Sequence, residues 1–144
     1  MKKIATLTAA AAALVALAAP ATAAAKNVKQ SGYIVGDKAA TVKLRTKVSG
    51  GTATKLSGFR AKNVVAHCGK DTIRIQLTVV SPIKVERDGD FKGRIGDGEG
   101  GIIRIAGTVA DDGLSTAGSV KTNEFTKGQK TCKVSKQKFK TSAR

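Results

Sequence analysis

Tryptophan is absent from this chain of 144 residues, tyrosine and histidine occur once each, and phenylalanine four times. Splayed bases need aromatic platforms to stack on, so this shortage of rings excludes specific reading of nucleic acid. One histidine, His67, and two cysteines, Cys68 and Cys132, are too few for a zinc site, which takes three or four protein ligands. The single histidine also leaves a serine nucleophile without a dedicated base, and no serine stands in a Gly-x-Ser-x-Gly turn. Helical periodicity is nearly missing beyond the first twenty residues. Acids are scarce: 10 Asp and Glu face 26 Lys and Arg, a net charge of +16. A field of that sign draws polyanions and speeds encounters with them, whatever the fold.

The N-terminus is organised for export. Met1-Lys2-Lys3 is positive, Ile4 to Ala19 is an alanine-rich apolar run, Pro20 breaks it, and Ala21-Thr22-Ala23 places small residues where signal peptidase requires them. The run falls short of the ~20 residues that span a bilayer. No cysteine near residue 20 offers a lipid anchor, and the tail Lys140–Arg144 has no apolar segment. Residues 1–23 are therefore expected to be a signal peptide, cleaved after Ala23 or else after Ala25. Residues 24–144 then form one secreted domain with no membrane span. Losing Lys2 and Lys3 leaves 24 cations against 10 acids, a net of +14. In an oxidising compartment Cys68 and Cys132 are expected to form a disulfide, with free thiols or an intermolecular bond as the alternatives. Closing so long a loop restricts the unfolded chain by about 4 kcal/mol.

Two-residue alternation dominates the rest. Val42, Leu44 and Val48 share one parity while Thr41, Lys43, Arg45 and Lys47 take the other. Ile73, Ile75, Leu77 and Val79 alternate with Thr72, Arg74, Gln76 and Thr78, and Ile103, Ile105 and Val109 interleave with Arg104 and Thr108. Asp88-Gly89, residues 96–101, Asp111-Asp112-Gly113 and Lys127-Gly128-Gln129 punctuate the runs as turns, Asp88-Gly89 having the form of a two-residue hairpin turn. The spacing predicts an all-β domain, an antiparallel sandwich or barrel of eight to nine short strands near 30–36, 40–48, 56–67, 72–80, 82–87, 91–96, 102–110, 114–122 and 131–140. Two strands conflict with strict alternation. Phe139 opposes Cys132 and Val134, which a bulge near Ser135-Lys136 would repair; Phe59 and Val65 oppose Val64 and Cys68, which implies a bulge or burial on both faces.

The order Ser31-Gly32-Tyr33, Gly58-Phe59, Cys68, Asp90-Phe91-Lys92-Gly93, Ile103-Arg104-Ile105-Ala106-Gly107, Thr116-Ala117-Gly118 and Cys132 resembles that of a family of small secreted actinobacterial β-domains. Those domains share one disulfide and an F-x-G / I-x-I-x-G pattern, and they have no assigned activity. The resemblance implies a bacterial source and a fold; its motif positions are turn glycines and core residues, so it carries over no functional residue.

Candidate sites are few. Asp88, Asp90, Gly93, Ile95 and Glu99 match a calcium-binding loop, but Lys92 stands where an oxygen ligand is needed and no helices flank the stretch. His67-Cys68 reads as an exposed histidine beside a structural cysteine. The turn carboxylates Asp88, Asp90, Asp97, Glu99, Asp111 and Asp112 are where aspartate is expected in any case. The Gly-rich stretch 96–101 lacks the lysine-serine ending of a phosphate loop. No enzyme activity, metal or cofactor is expected. What remains is basic surface: Lys43, Arg45 and Lys47 on one strand face, Arg74 and Arg104 on others, and Lys133, Lys136, Lys138 and Lys140 beyond the last acid, Glu124. Lys136, Lys138 and Lys140 share a parity, so they are expected to form one basic row. The expected function is non-catalytic binding of an extracellular polyanion such as an anionic cell-wall polymer, an acidic polysaccharide or an anionic surface. The alternatives are a protein-interaction or inhibitor module, an enzyme, and a plain charged surface that keeps strand edges from pairing.

Overall fold

The computed structural model describes residues 24–96 and 101–144. The expected signal peptide, together with Asp97 and Glu99 of the calcium-like loop, lies outside the described residues. Those residues hold eleven strands and no helix: β1 Lys26–Ile34, β2 Asp37–Ser49, β3 Thr52–Cys68, β4 Asp71–Val79, β5 Ile83–Lys84, β6 Asp90–Gly96, β7 Ile102–Val109, β8 Ser115–Thr122, β9 Phe125–Lys127, β10 Lys130–Cys132 and β11 Gln137–Ala143. No helix among them is long and apolar enough to cross a membrane.

Eight strands pair antiparallel in the order β4-β3-β2-β1-β11-β8-β7-β6. Their alternation decides which face turns inward. On β2, Ala40, Val42, Leu44, Thr46 and Val48 are buried while Thr41, Lys43, Arg45, Lys47 and Ser49 are exposed. Ile103, Ile105 and Val109 on β7 point the same way, and all the apolar faces meet in one core around Leu56, Phe59, Phe91 and Phe139. Phe59 and Phe139 pack with ring centroids 5.4 Å apart. Gly118 makes that packing possible: a Cβ there would lie 2.8 Å from the Phe139 ring.

The sheet rolls up without closing into a barrel. Its terminal strands β4 and β6 share no ladder. At one end the short β5 fills the gap, pairing its Ile83 with Leu56 of β3 and reaching β6 through a single bridge between Val85 and Phe91. Around that end the order is β3, β2, β1, β11, β8, β7, β6, β5. At the other end a groove of about 570 Å³ separates Ile75 and Leu77 of β4 from Ile95 and Ile103, with Phe125 of the β9–β10 hairpin along it.

Strand β3 supplies much of the bend. Its buried positions run Ala53, Leu56, Phe59, Ala61, Val64, Ala66 and Cys68, stepping by three at three points. Its pairing shifts register at each of these points, including between Ala61 and Val64, where Asn63 takes a φ of 58°. The bulge at Lys62-Asn63 resolves the parity conflict of this segment and leaves Val65 half-buried, its carbonyl accepting a hydrogen bond from Gln137 Nε2. The other conflict is settled by a break. The expected strand 131–140 is two elements, β10 and β11, joined by irregular residues 133–136, so Cys132, Val134 and Phe139 all turn inward without sharing a strand. Likewise the Asp88-Gly89 turn is longer than two residues: Glu86 N–H donates to the Asp90 carbonyl, enclosing Arg87, Asp88 and Gly89.

Two devices pin the ends. The Cys68–Cys132 disulfide joins the end of β3 to β10, and neighbouring His67 and Lys133 exchange backbone hydrogen bonds of 2.8 Å in both directions. Opposite the disulfide in sequence terms, the β7–β8 turn folds against β2. The Gly113 carbonyl accepts from buried Gln30 Nε2 at 2.6 Å and Thr46 Oγ1 at 2.8 Å, while Thr141 Oγ1 donates to Gln30 Oε1 at 2.7 Å. Gly113 has a φ of 71°, and a Cβ there would strike the Val48 side chain. Replacing Gly113 by Ala therefore combines left-handed strain with a clash and should cost more than about 1–2 kcal/mol in denaturant unfolding. Replacing both cysteines by serine should cost about 2–5 kcal/mol by the same measurement.

Candidate anion-binding surface

Because apolar side chains take the inner face of a rolled sheet, the intervening residues all point outward, and on this chain many are cations. Hydrogen-bonded neighbours then set like charges directly opposite one another. Across β1–β2–β3 the register pairs Lys29 with Arg45, Lys43 with Arg60, and Lys47 with Lys55. Across β6–β7–β8 it makes an unbroken row, Arg94 opposite Arg104 and Arg104 opposite Lys121. Like charges so placed destabilise a sheet.

Each group of cations surrounds a shallow trough. The first, about 530 Å³, is bordered by Lys29, Lys43, Arg45, Arg60 and Arg144, with Arg144 Nε donating to Ser31 Oγ at 2.6 Å. The second, about 400 Å³, is bordered by Lys92, Arg94, Arg104, Lys121 and Lys136, and small Ala106 and Ser119 form part of its lining. Among the described residues no Asp or Glu side chain lines either trough. The nearest acid along β6, Asp90, lies two residues from Lys92 and accepts a hydrogen bond from Thr108 Oγ1 at 3.0 Å.

Three of the acids are paired with cations elsewhere. Asp37 binds Arg74 at 2.8 Å, and that hydrogen bond, with the charge behind it, holds the Asp37 carboxyl below its ordinary range. Arg74 also donates to the Asn63 carbonyl at 2.7 Å. Asp71 pairs with Lys130, whose hydrogen bond likewise lowers its carboxyl, and Glu86 lies 3.4 Å from Lys84. These three acids neutralise cations outside both troughs, and among the described residues no Asp or Glu side chain offsets the cations that border them.

The nine cations singled out from sequence are divided by this geometry. Lys43 and Arg45 border the first trough, Arg104 and Lys136 the second. Lys47 is exposed on β2 beside Lys55, and Lys138 and Lys140 are exposed on β11. Lys136 precedes β11 rather than continuing its row, so the expected basic row of three is a pair. Arg74 is occupied by Asp37, and Lys133 is next to the disulfide, outside both troughs. Sequence reasoning missed Lys29, Arg60, Lys92, Arg94 and Lys121, and Arg144, part of the basic tail after Glu124, was not among the nine. The Arg94–Arg104 and Arg104–Lys121 pairs had a signal, since each pair is equidistant from an intervening turn.

Asp88 Oδ1 accepts the Asp90 N–H at 3.0 Å, an ordinary turn contact. Among the described residues no three His, Cys, Asp or Glu side chains are grouped as metal ligands would be. His67 is exposed.

The trough at β6–β8 makes a stability prediction. Arg104→Glu converts two repulsive cross-strand pairs into attractive ones and should raise stability by about 0.2–1 kcal/mol per pair at low ionic strength. The gain should fade in 1 M salt, where charges more than about 3 Å apart are screened. Thermal melts of both proteins at two salt concentrations read it directly.

No family model, curated protein or solved structure matches this chain.

Proposed function

We propose that this chain is a secreted, non-enzymatic domain that binds a linear extracellular polyanion, one carrying phosphate, sulfate or carboxylate groups, along the cationic outer face of its sheet. One observation carries the reading: each trough is bordered by five cationic side chains and, among the described residues, by no Asp or Glu side chain. A purely solubilising surface works best with both signs interspersed. Here Asp37, Asp71 and Glu86 pair with Arg74, Lys130 and Lys84, which border neither trough, and the sheet retains like-charge pairs that cost stability. An anion laid across such a row relieves that repulsion and releases its own condensed counterions. Arginine supplies forked donors suited to oxyanions, and Arg45, Arg60, Arg94, Arg104 and Arg144 all border the troughs.

The disulfide supports an extracellular setting, since such bonds persist in oxidising compartments. Together with the export signal expected in residues 1–23, it supports a ligand outside the cytoplasmic membrane. The scarcity of aromatic rings favours a ligand recognised by charge and not by base stacking.

The test is retention on immobilised heparin, with uncharged dextran as control. Binding should fall steeply with salt, and the Arg94→Gln/Arg104→Gln/Lys121→Gln protein should elute at lower salt than wild type. Passage through heparin without delay at low ionic strength overturns the reading.

A further inference from the structure

The two troughs lie on opposite sides of the molecule. Around the end closed by β5 the strand order is β3, β2, β1, β11, β8, β7, β6, β5, which sets β2 and β7 four positions apart in either direction. Measured along the sheet through β1, β11 and β8, four strand steps of ~4.8 Å separate them by about 19 Å. Their inner faces meet in one core: Val42 and Leu44 of β2 belong to the same cluster as Ile103 and Ile105 of β7. Two strands whose inward side chains share a core across a rolled sheet send their outward side chains in opposite directions. Arg45 on β2 and Arg104 on β7 therefore face away from each other.

Building on the polyanion-binding reading, we infer that the protein is bivalent and bridges two linear polyanion chains, one along each trough. A stiff chain seated on one trough cannot reach the other without turning around the molecule. The path through β1 and β11 is also less charged. It presents Ser31 opposite Ser142 and Tyr33 opposite Lys140, and the exposed cations of β11 along it are two, Lys138 and Lys140. Each trough has its own set of five cations, so neither depends on the other for its charge. Two sites on one rigid body then convert weak single contacts into a cross-link, because the second chain is captured at a high effective concentration once a network has formed.

Short and long anions distinguish bridging from simple binding. Titration calorimetry with a heparin hexasaccharide should give two oligomers per protein. Full-length heparin should produce strong light scattering at intermediate ratios, clearing when either component is in large excess. Two variants isolate the troughs: Lys43→Gln/Arg45→Gln/Arg60→Gln for the first, and Arg94→Gln/Arg104→Gln/Lys121→Gln for the second. Each should bind one hexasaccharide and fail to scatter with the long chain. Both remain strongly basic, so coacervation driven by net charge alone would persist in them, and persistence overturns bridging. The changes remove like-charge contacts at exposed positions, so melting temperatures at or above wild type are expected and show that the fold is intact. One hexasaccharide per wild-type protein overturns bridging while leaving the binding reading in place. No affinity of the wild type for the hexasaccharide overturns both.

Discussion

Opposite facing of successive side chains along a strand is the constraint from which the rest of this molecule follows. Rolled around one core, the sheet needs an uninterrupted apolar inner face, and Val42, Leu44, Phe59, Ile105 and Phe139 provide it. The remaining positions must face water, and this chain fills many of them with lysine and arginine. Strand pairing then sets those cations side by side at the spacing of a hydrogen-bonded ladder. The charged troughs are thus a product of the same alternation that builds the core. They are not added on loops, where binding residues are more often found.

Keeping the alternation intact over a rolled sheet demands local irregularity. A regular 17-residue strand would lose contact with the core as the sheet turns, and β3 corrects its phase by stepping three residues instead of two at three points. The disulfide and the buried Gln30–Thr46–Gly113 cluster secure opposite parts of the sheet. The first ties down the β9–β10 hairpin, the only paired element outside the main sheet among the described residues. The second seats the β7–β8 turn on β2, and so ties one half of the sheet to the other.

Charge distribution follows a division of labour. Asp37 and Asp71 neutralise Arg74 and Lys130 around the β3–β4 edge, where chain connections meet. Solvent-accessible pairs of this sort contribute little to stability, and their clearest effect is to withdraw two cations from any ligand. Among the described residues the cations on the outer faces of β2 and β7 form no ion pair with an acid, and their like-charge contacts carry a modest electrostatic cost. Soluble domains commonly blunt edge strands with lysine, but β2 and β7 are interior strands with a neighbour on each side. Protection of edges does not account for the cations there.

Much of this was legible in the sequence because period-two alternation needs no partner to be recognised. It determined the β class, the inward positions of β2, β4 and β7, and the presence of a structural irregularity near residues 59–68. Turn symmetry would also have yielded the Arg94–Arg104 and Arg104–Lys121 neighbours, since neither ladder carries a register shift. It could not have yielded Lys43 opposite Arg60. The bulges in β3 shift that register after the turn, and a bulge depends on how the strand meets a core that only the folded chain possesses. The break between β10 and β11 was hidden for the same reason. The abundance of cations was in the sequence; their division into two oppositely facing troughs was decided by the tertiary structure, because direction around a rolled sheet depends on strand order, which no local pattern encodes.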